Sequence, residues 1–386
     1  MPCRLDSANS KLTLKIFSPQ NTQRPRRKIT CAIYGQRFLS ALFVVKEVLS
    51  FLLWSFVLFR VLCYNRRTMR FLITGAAGFL GSALANRLSR EGHQVRGLDD
   101  LSTGDPSALS PDIHFIRGDI NDRPKLWTLL QDVDCVYHLA ARVLVAESIL
   151  YPGKYNFVNV GGTVSLIEAM RDVTVRRVVF ISSGSVYGDQ GEQPLREDAQ
   201  PNPRSPYAVS KLASEYYTRT IGDLWAIESV CLRVFNAYGP GQALPPSHPP
   251  VIPNFLTQAV RNGTLVVHSD GSQTRDYVFI DDVVDAMVAA ATASEVDKMK
   301  INVGSGTETS VRELANLVMK TTQSDAEVIY NPRTDPGVSR MCADINLARK
   351  KLGYQPRTSL PEGLRLTLER DPRFLREVTK PVQKES

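Results

Sequence analysis

The stretch "MRFLITGAAGFLGSALA", residues 69–85, decides how the chain is read. A short apolar run, RFLIT, leads into a turn carrying Gly75, Gly78 and Gly81. The turn opens onto residues 79–90, whose apolar positions recur with helical spacing. Glycine at these places permits a tight turn, lets a pyrophosphate approach the backbone, and allows helix and strand to pack closely. The N-terminus of the following helix points its unpaired N–H groups at the phosphates. Glycine-rich turns also serve purely as turns; the position between strand and helix is what argues for phosphate binding.

Five further short apolar runs follow in order: QVRGLD, IHFIRGD, CVYHLA, RVVFISS and SVCLRVF. Helical patterns lie between them, as at 157–171. This alternation predicts an α/β protein, a Rossmann-type doubly wound parallel sheet with helices on both faces. Past about residue 237 the order loosens into "GPGQALPPSHPPVIP" and shorter elements, which points to a smaller C-terminal α/β substrate lobe. The expected division is a basic extension over 1–68, a dinucleotide-binding domain over 69–236, and a mainly substrate-binding lobe over 237–386 with some chain returning to the sheet.

The formal charge of +8 is unevenly spread. Residues 1–68 hold 12 Lys/Arg against 2 Asp/Glu, and residues 69–386 hold 35 against 37. The body is therefore close to neutral, and nucleic-acid binding has no compositional support. None of the six cysteines forms a CxxC pair or sits near a histidine at ligand spacing, so no metal is expected. Cys135 and Cys231 fall in strand-like runs and read as buried thiols of a reducing compartment, with cytoplasmic residence expected. His138 reads as the end of a buried strand.

The extension contains a greasy segment, residues 38–64, interrupted by Lys46, Glu47 and Arg60. Its longest uncharged run falls short of the ~20 residues that a spanning helix needs. Three readings stay open: a membrane anchor, a removable targeting segment, or translated sequence ahead of a natural start at Met69. The abutment of Met69 on the first strand favours the last. N-terminal sequencing of the protein from its own cells decides among them.

Asp99 ends the second run, eighteen residues past Gly81. A carboxylate there accepts hydrogen bonds from both ribose hydroxyls and repels a 2′-phosphate, which favours NAD over NADP. Asp119 and Ile120 close the third run, where an adenine would lie; Asp119 also reads as a plain turn or cap residue. Tyr207 and Lys211, four apart in "SPYAVSK", share one helix face. An ammonium beside a phenol lowers the phenol's pKa from ~10, so Tyr207 is the expected general base. Ser183, at a strand end, is placed to hydrogen-bond the same substrate oxygen.

The ordered set "TGAAGFLG", "HLAA", "NVGGT", "SSGSVYG", "YAVSK", "RVFNAYGPGQ", "QTRDYVFIDDVVDA" and "NVGSG" resembles the extended short-chain dehydrogenases/reductases, specifically the NAD-dependent sugar-nucleotide epimerases and dehydratases. The likeness spans about residues 69–370 and is closest to UDP-glucose 4-epimerase-like enzymes. It implies Ser183, Tyr207 and Lys211 as the catalytic set. It implies NAD held by Gly75, Gly78, Phe79, Leu80, Gly81 and Asp99, with Leu139, Ala140, Ala141 and Asn159 lining the cofactor beside Tyr207 and Lys211. Asn236 and Arg275 would contact a nucleotide-sugar substrate, and a homodimer is expected.

Within that family, dehydratases carry an Asp–Glu pair after the strand-end Ser/Thr, and decarboxylases a Glu two residues after it. Gly184 and Ser185 stand there, so the resemblance implies 4-epimerisation of a nucleotide sugar, a UDP-hexose, through a transient 4-keto sugar. A dehydratase, decarboxylase or net reductase of the same family is the alternative, and a non-catalytic dinucleotide sensor a further one. The usual Arg-x-Gly-Asp/Glu element is replaced by "PRTDPGVSRMCAD", which leaves Arg333 or Arg340 to meet the diphosphate.

Overall fold

The computed structural model describes residues 68–332 and 337–374. The segment 38–64 and Arg333 lie outside them. Among the described residues no helix is long and apolar enough to cross a membrane.

RFLIT becomes β1 (Arg70–Thr74), buried from Phe71 to Thr74 because strands of a parallel sheet are covered on both faces. It lies inside a seven-stranded sheet ordered β10-β6-β5-β4-β1-β2-β3. The other strands are β2 (Gln94–Asp99), β3 (His114–Arg117), β4 (Cys135–His138), β5 (Arg177–Ser183), β6 (Glu228–Val234) and β10 (Met299–Val303). All six pairings are parallel. The order runs outward in opposite directions from β1 and β4, which creates a crevice at the carboxyl ends of these two strands.

Alternate residues of each strand feed two separate cores. Phe71, Ile73, Tyr137 and Val179 face one layer, which includes helix α1 (Phe79–Arg90). Leu72, Val136 and Val178 face the other, against Leu166, Ile167 and Met170 of α3 (Gly162–Asp172). Helix α2 (Val145–Leu150) precedes α3, and α4 (Pro206–Leu224) packs against it. The C-terminal chain sends β10 back to pair with β6 and builds two small sheets, β11-β9-β7 and β12-β8. These comprise β7 (Asn236–Tyr238), β8 (Leu265–His268), β9 (Thr274–Phe279), β11 (Glu308–Ser310) and β12 (Val328–Asn331).

One helix differs from its sequence pattern. The single helix expected over 157–171 has a π-turn, Asn156–Gly161, before α3 begins. The Asn159 carbonyl accepts from the hydroxyls of Thr163 (2.5 Å) and Ser214 (2.9 Å). Side chains thus compete with the backbone ladder at that turn, and such bulges commonly mark functional sites.

His138 ends β4 and is 1 % exposed. Its Nδ1 lies 2.7 Å from Thr74 Oγ1 and its Nε2 3.0 Å from Thr163 Oγ1. Burial, reinforced by the Lys211 ammonium, brings its pKa down to about 3 from 6.5. The unfolded chain therefore binds this proton first, and His138 should cost about 1.4 kcal/mol of stability per pH unit as pH falls below 6.5, until about 3. Thermal unfolding across that window should show a shallower pH slope for His138→Asn than for the wild type. Equal slopes would remove His138 from the acid response.

Candidate active site

A cavity of about 370 Å³ opens at the crevice between β1 and β4, within the size range of small-molecule sites. Its floor is the glycine turn. Gly75 has φ +73°, and its N–H donates to the Leu98 carbonyl at 2.7 Å, which folds the turn onto β2. A methyl group on Gly81 would sit 2.0 Å from the Gly75 carbonyl oxygen, so only glycine lets α1 start this close to the strand. Gly78, Phe79 and Leu80 complete this wall.

Asp99 lies at the end of β2. Its Oδ2 accepts from the Ala77 N–H (3.0 Å) and its Oδ1 from the Leu101 N–H (2.9 Å). Burial raises its pKa, while those backbone donors hold it down. Each oxygen keeps a lone pair for a ribose hydroxyl. Asp119 and Ile120 follow β3, and Leu139, Ala140 and Ala141 follow β4, all on the same wall. A turn stripped of side chains, a carboxylate with spare acceptor capacity and an apolar slot fit the two halves of a dinucleotide, so these residues would hold NAD.

The far end of the cavity carries Ser183, Tyr207 and Lys211 together. Ser183 terminates β5, and its Oγ accepts from the Ser185 N–H at 3.2 Å. Helix α4 is started by Ser205, whose Oγ accepts from the Ala208 N–H (3.2 Å), with Pro206 at the first helical position. Tyr207 therefore occupies the first turn, and Lys211 lies one turn later. The Lys211 ammonium is 4.6 Å from the centre of the Phe180 ring.

Burial dominates the electrostatics of this pair. Burial pushes the Tyr207 phenol above its ordinary value, and the nearby Ser183 hydroxyl opposes this. Tyr207 is half-buried, open to the cavity but walled closely enough by protein for desolvation to dominate. Lys211 is itself brought down to about 8 by burial, so it is mostly an ammonium at neutral pH.

Three expected residues do not line the cavity. Asn159 is buried behind it, clamping the Arg142 backbone by both its N–H (2.8 Å) and its carbonyl (3.0 Å), and donating to Ser210 Oγ at 2.8 Å. Asn236 is exposed on β7. Arg275 lies on β9, where its guanidinium donates to the Thr274 carbonyl at 2.7 Å. Arg340 is also away from the cavity, held by Glu308 at 2.8 and 2.6 Å. In turn, Asp100, Arg142 and Gln242 line it without having been singled out. Asp100 directly follows a strand end, a legible signal; the Arg142 position depends on the distant Asn159 clamp and had none.

Residues 71–304 match the NAD dependent epimerase/dehydratase family. The chain is 40 % identical over 308 residues to a UDP-glucose 4-epimerase of Mycolicibacterium smegmatis, covering 78 % of this chain and 98 % of the relative. Its fold is similar to the crystal structure of a Thermotoga maritima UDP-glucose 4-epimerase with UDP-glucose, at TM-score 0.76 and 32 % identity over 81 % of this chain and 100 % of the other. It is also similar to a Thermus thermophilus UDP-glucose 4-epimerase in complex with NAD, at TM-score 0.72 and 30 % identity over 78 % and 98 % of the two chains.

The placement of Asp99 carries a cofactor prediction. Asp99→Gly removes the carboxylate that would repel a 2′-phosphate, so titration calorimetry should show weaker NAD binding and a smaller NAD-over-NADP preference. Tighter wild-type binding of NADP than of NAD would overturn this role.

Proposed function

The chain belongs to the NAD-dependent epimerase/dehydratase family, and on that premise we propose that it interconverts the C4 epimers of a nucleotide sugar, with a UDP-hexose as substrate. The observation that carries the choice of reaction is the distribution of carboxylates around the cavity. Asp99, Asp100 and Asp119 stand at the glycine-turn end, and the described lining residues put none beside Ser183, Tyr207 and Lys211. Gly184 is packed so that a Cβ would meet the Phe235 ring at 3.2 Å, leaving little space for an acid at that place. Elimination of water across C5 and C6 needs such an acid or base; inversion at C4 does not.

In this reading Tyr207 takes the proton of the substrate 4-OH, and Ser183 donates a hydrogen bond to the same oxygen as it becomes a carbonyl. Lys211 contributes positive charge behind the phenol. When bound, NAD supplies a reversible acceptor for the C4 hydrogen with its electron pair, and a cationic ring in the same cavity. After the 4-keto sugar turns its other face, the hydrogen with its electron pair would return to C4 on that face while Tyr207 returns the proton to the oxygen, giving the 4-epimer. Arg275, Asn236 and either Arg333 or Arg340 remain the proposed contacts of the sugar nucleotide. Asn159 acts by holding the Arg142 segment against α4.

A homodimer belongs to the same proposal. Ile149 and Leu150 on α2, Phe157 on the π-turn, and Val209, Tyr216 and Tyr217 on α4 are large apolar side chains exposed on neighbouring helices. A face of this kind suits a two-fold contact with a second copy. Cytoplasmic residence is proposed because Cys135, Cys231 and Cys342, among the described residues, are buried free thiols; cell fractionation tests it.

Two measurements test these readings. Tyr207→Phe should lower turnover of a UDP-hexose, followed by NMR of the C4 configuration, by at least ~10²–10⁴-fold while NAD binding persists. Near-normal turnover would remove Tyr207 as the base. Sedimentation should show a dimer for the wild type and a monomer for the paired change Ile149→Glu and Phe157→Glu. A wild-type monomer would refute the dimer.

A further inference from the structure

Tyr207, Lys211 and Glu215 follow one another at four-residue steps along α4, on one helix face. Glu215 is 2 % exposed, and its partner Arg233 on β6 is 1 % exposed. Arg233 grips the carboxylate with two bonds, Nε to Oε1 at 2.9 Å and Nη2 to Oε2 at 2.7 Å. The Ser182 hydroxyl donates to the same Oε1 at 2.5 Å. Ser182 directly precedes Ser183, and Arg233 directly precedes Val234, which lines the cavity. One carboxylate therefore ties together the three elements that carry the reacting end of the site. Behind it, the Tyr187 ring lies 4.7 Å from the Arg233 guanidinium, and the Tyr187 hydroxyl donates to Asn302 Oδ1 at 2.7 Å.

Stability alone is a weak reason for this arrangement. Burying two charges is expensive, and apolar residues of similar volume often serve as well or better. The surroundings of Lys211 give a better reason. It is faced by His138 from β4, by the Phe180 ring of β5, by Cys231 from β6, and by Tyr207 and Glu215 from its own helix, with Arg233 of β6 bonded to Glu215. Burial keeps His138, Cys231 and Tyr207 neutral at pH 7. Arg233 cannot favour a second cation. Glu215 is thus the carboxylate among the described residues that supports the Lys211 ammonium against its own desolvation.

We propose that Glu215 is a positioning residue of the active site: through Ser182 and Arg233 it sets Ser183 against Tyr207, and its carboxylate stands one turn along the same helix face from Lys211. The inference rests on the reading that Tyr207 and Lys211 act on the substrate. Glu215→Gln should lower kcat by roughly 10–100-fold with KM little changed, because the reacting groups and not the binding surface are displaced. The alkaline limb of the kcat profile should also move down by about one pH unit or more as Lys211 loses its proton earlier.

Glu215→Gln leaves Arg233 buried without its partner, which lowers stability as well as activity. The paired change Glu215→Leu with Arg233→Met removes both charges while conserving packing, and decides the matter. It should unfold at or near the wild-type temperature yet retain the low kcat and the shifted alkaline limb. A stable paired variant with wild-type kcat and an unmoved limb would overturn the proposal. If Tyr207→Phe is inactive at the same time, the failure belongs to Glu215 alone and not to the proposed chemistry.

Discussion

The register of β1 between its two neighbours is the constraint on which the site depends. Thr74 pairs with Leu98 on one side and His138 on the other. That alignment brings Gly75, Asp99 and Leu139, the next residues along three strands, to one level at the carboxyl edge. A slip by one residue would turn the alternation over and exchange the two cores, so the burial of Phe71 and Ile73 on one face and Leu72 on the other holds the register. The hydroxyls of Thr74 and Thr163 on His138 reinforce the same level from within.

The reacting end is set by a second consequence of strand length. Phe180 of β5 pairs with His138, yet β5 runs on to Ser183. At ~3.3 Å per residue, the serine stands about 10 Å beyond the end of β4. The cofactor wall and the reacting hydroxyl are thus offset along the cavity by geometry intrinsic to the sheet. Helix α4 then needs only its N-terminal turn at that depth to bring Tyr207 beside Ser183. Because Ser205 caps that turn, the placement of Tyr207 follows from where the helix can begin.

What could be read from the chain is what depends on local pattern. The apolar spacing of residues 79–90 gave the limits of α1, the run RVVFISS gave a strand ending at Ser183, and the four-residue step placed Tyr207 and Lys211 on one helix. The glycine turn and Asp99 were legible because their chemistry is carried by adjacent residues. What could not be read depends on distant partners. At the π-turn, Ser214 reaches the Asn159 carbonyl across 55 positions. The Tyr207 pKa rises because walls from several elements exclude water, which no spacing records. The pairing of Glu215 with Arg233 joins a helix to the next strand, and both residues look like ordinary surface charges in a linear reading.

The claim that one carbon is both oxidised and re-reduced within this cavity has a direct test. A UDP-hexose carrying deuterium at C4 should be converted by the purified protein into a 4-epimer of unchanged mass, with the deuterium still on C4 when the product is read by NMR and mass spectrometry. Loss of the label, build-up of reduced NAD in step with product, or a product lighter by water or carbon dioxide would contradict it.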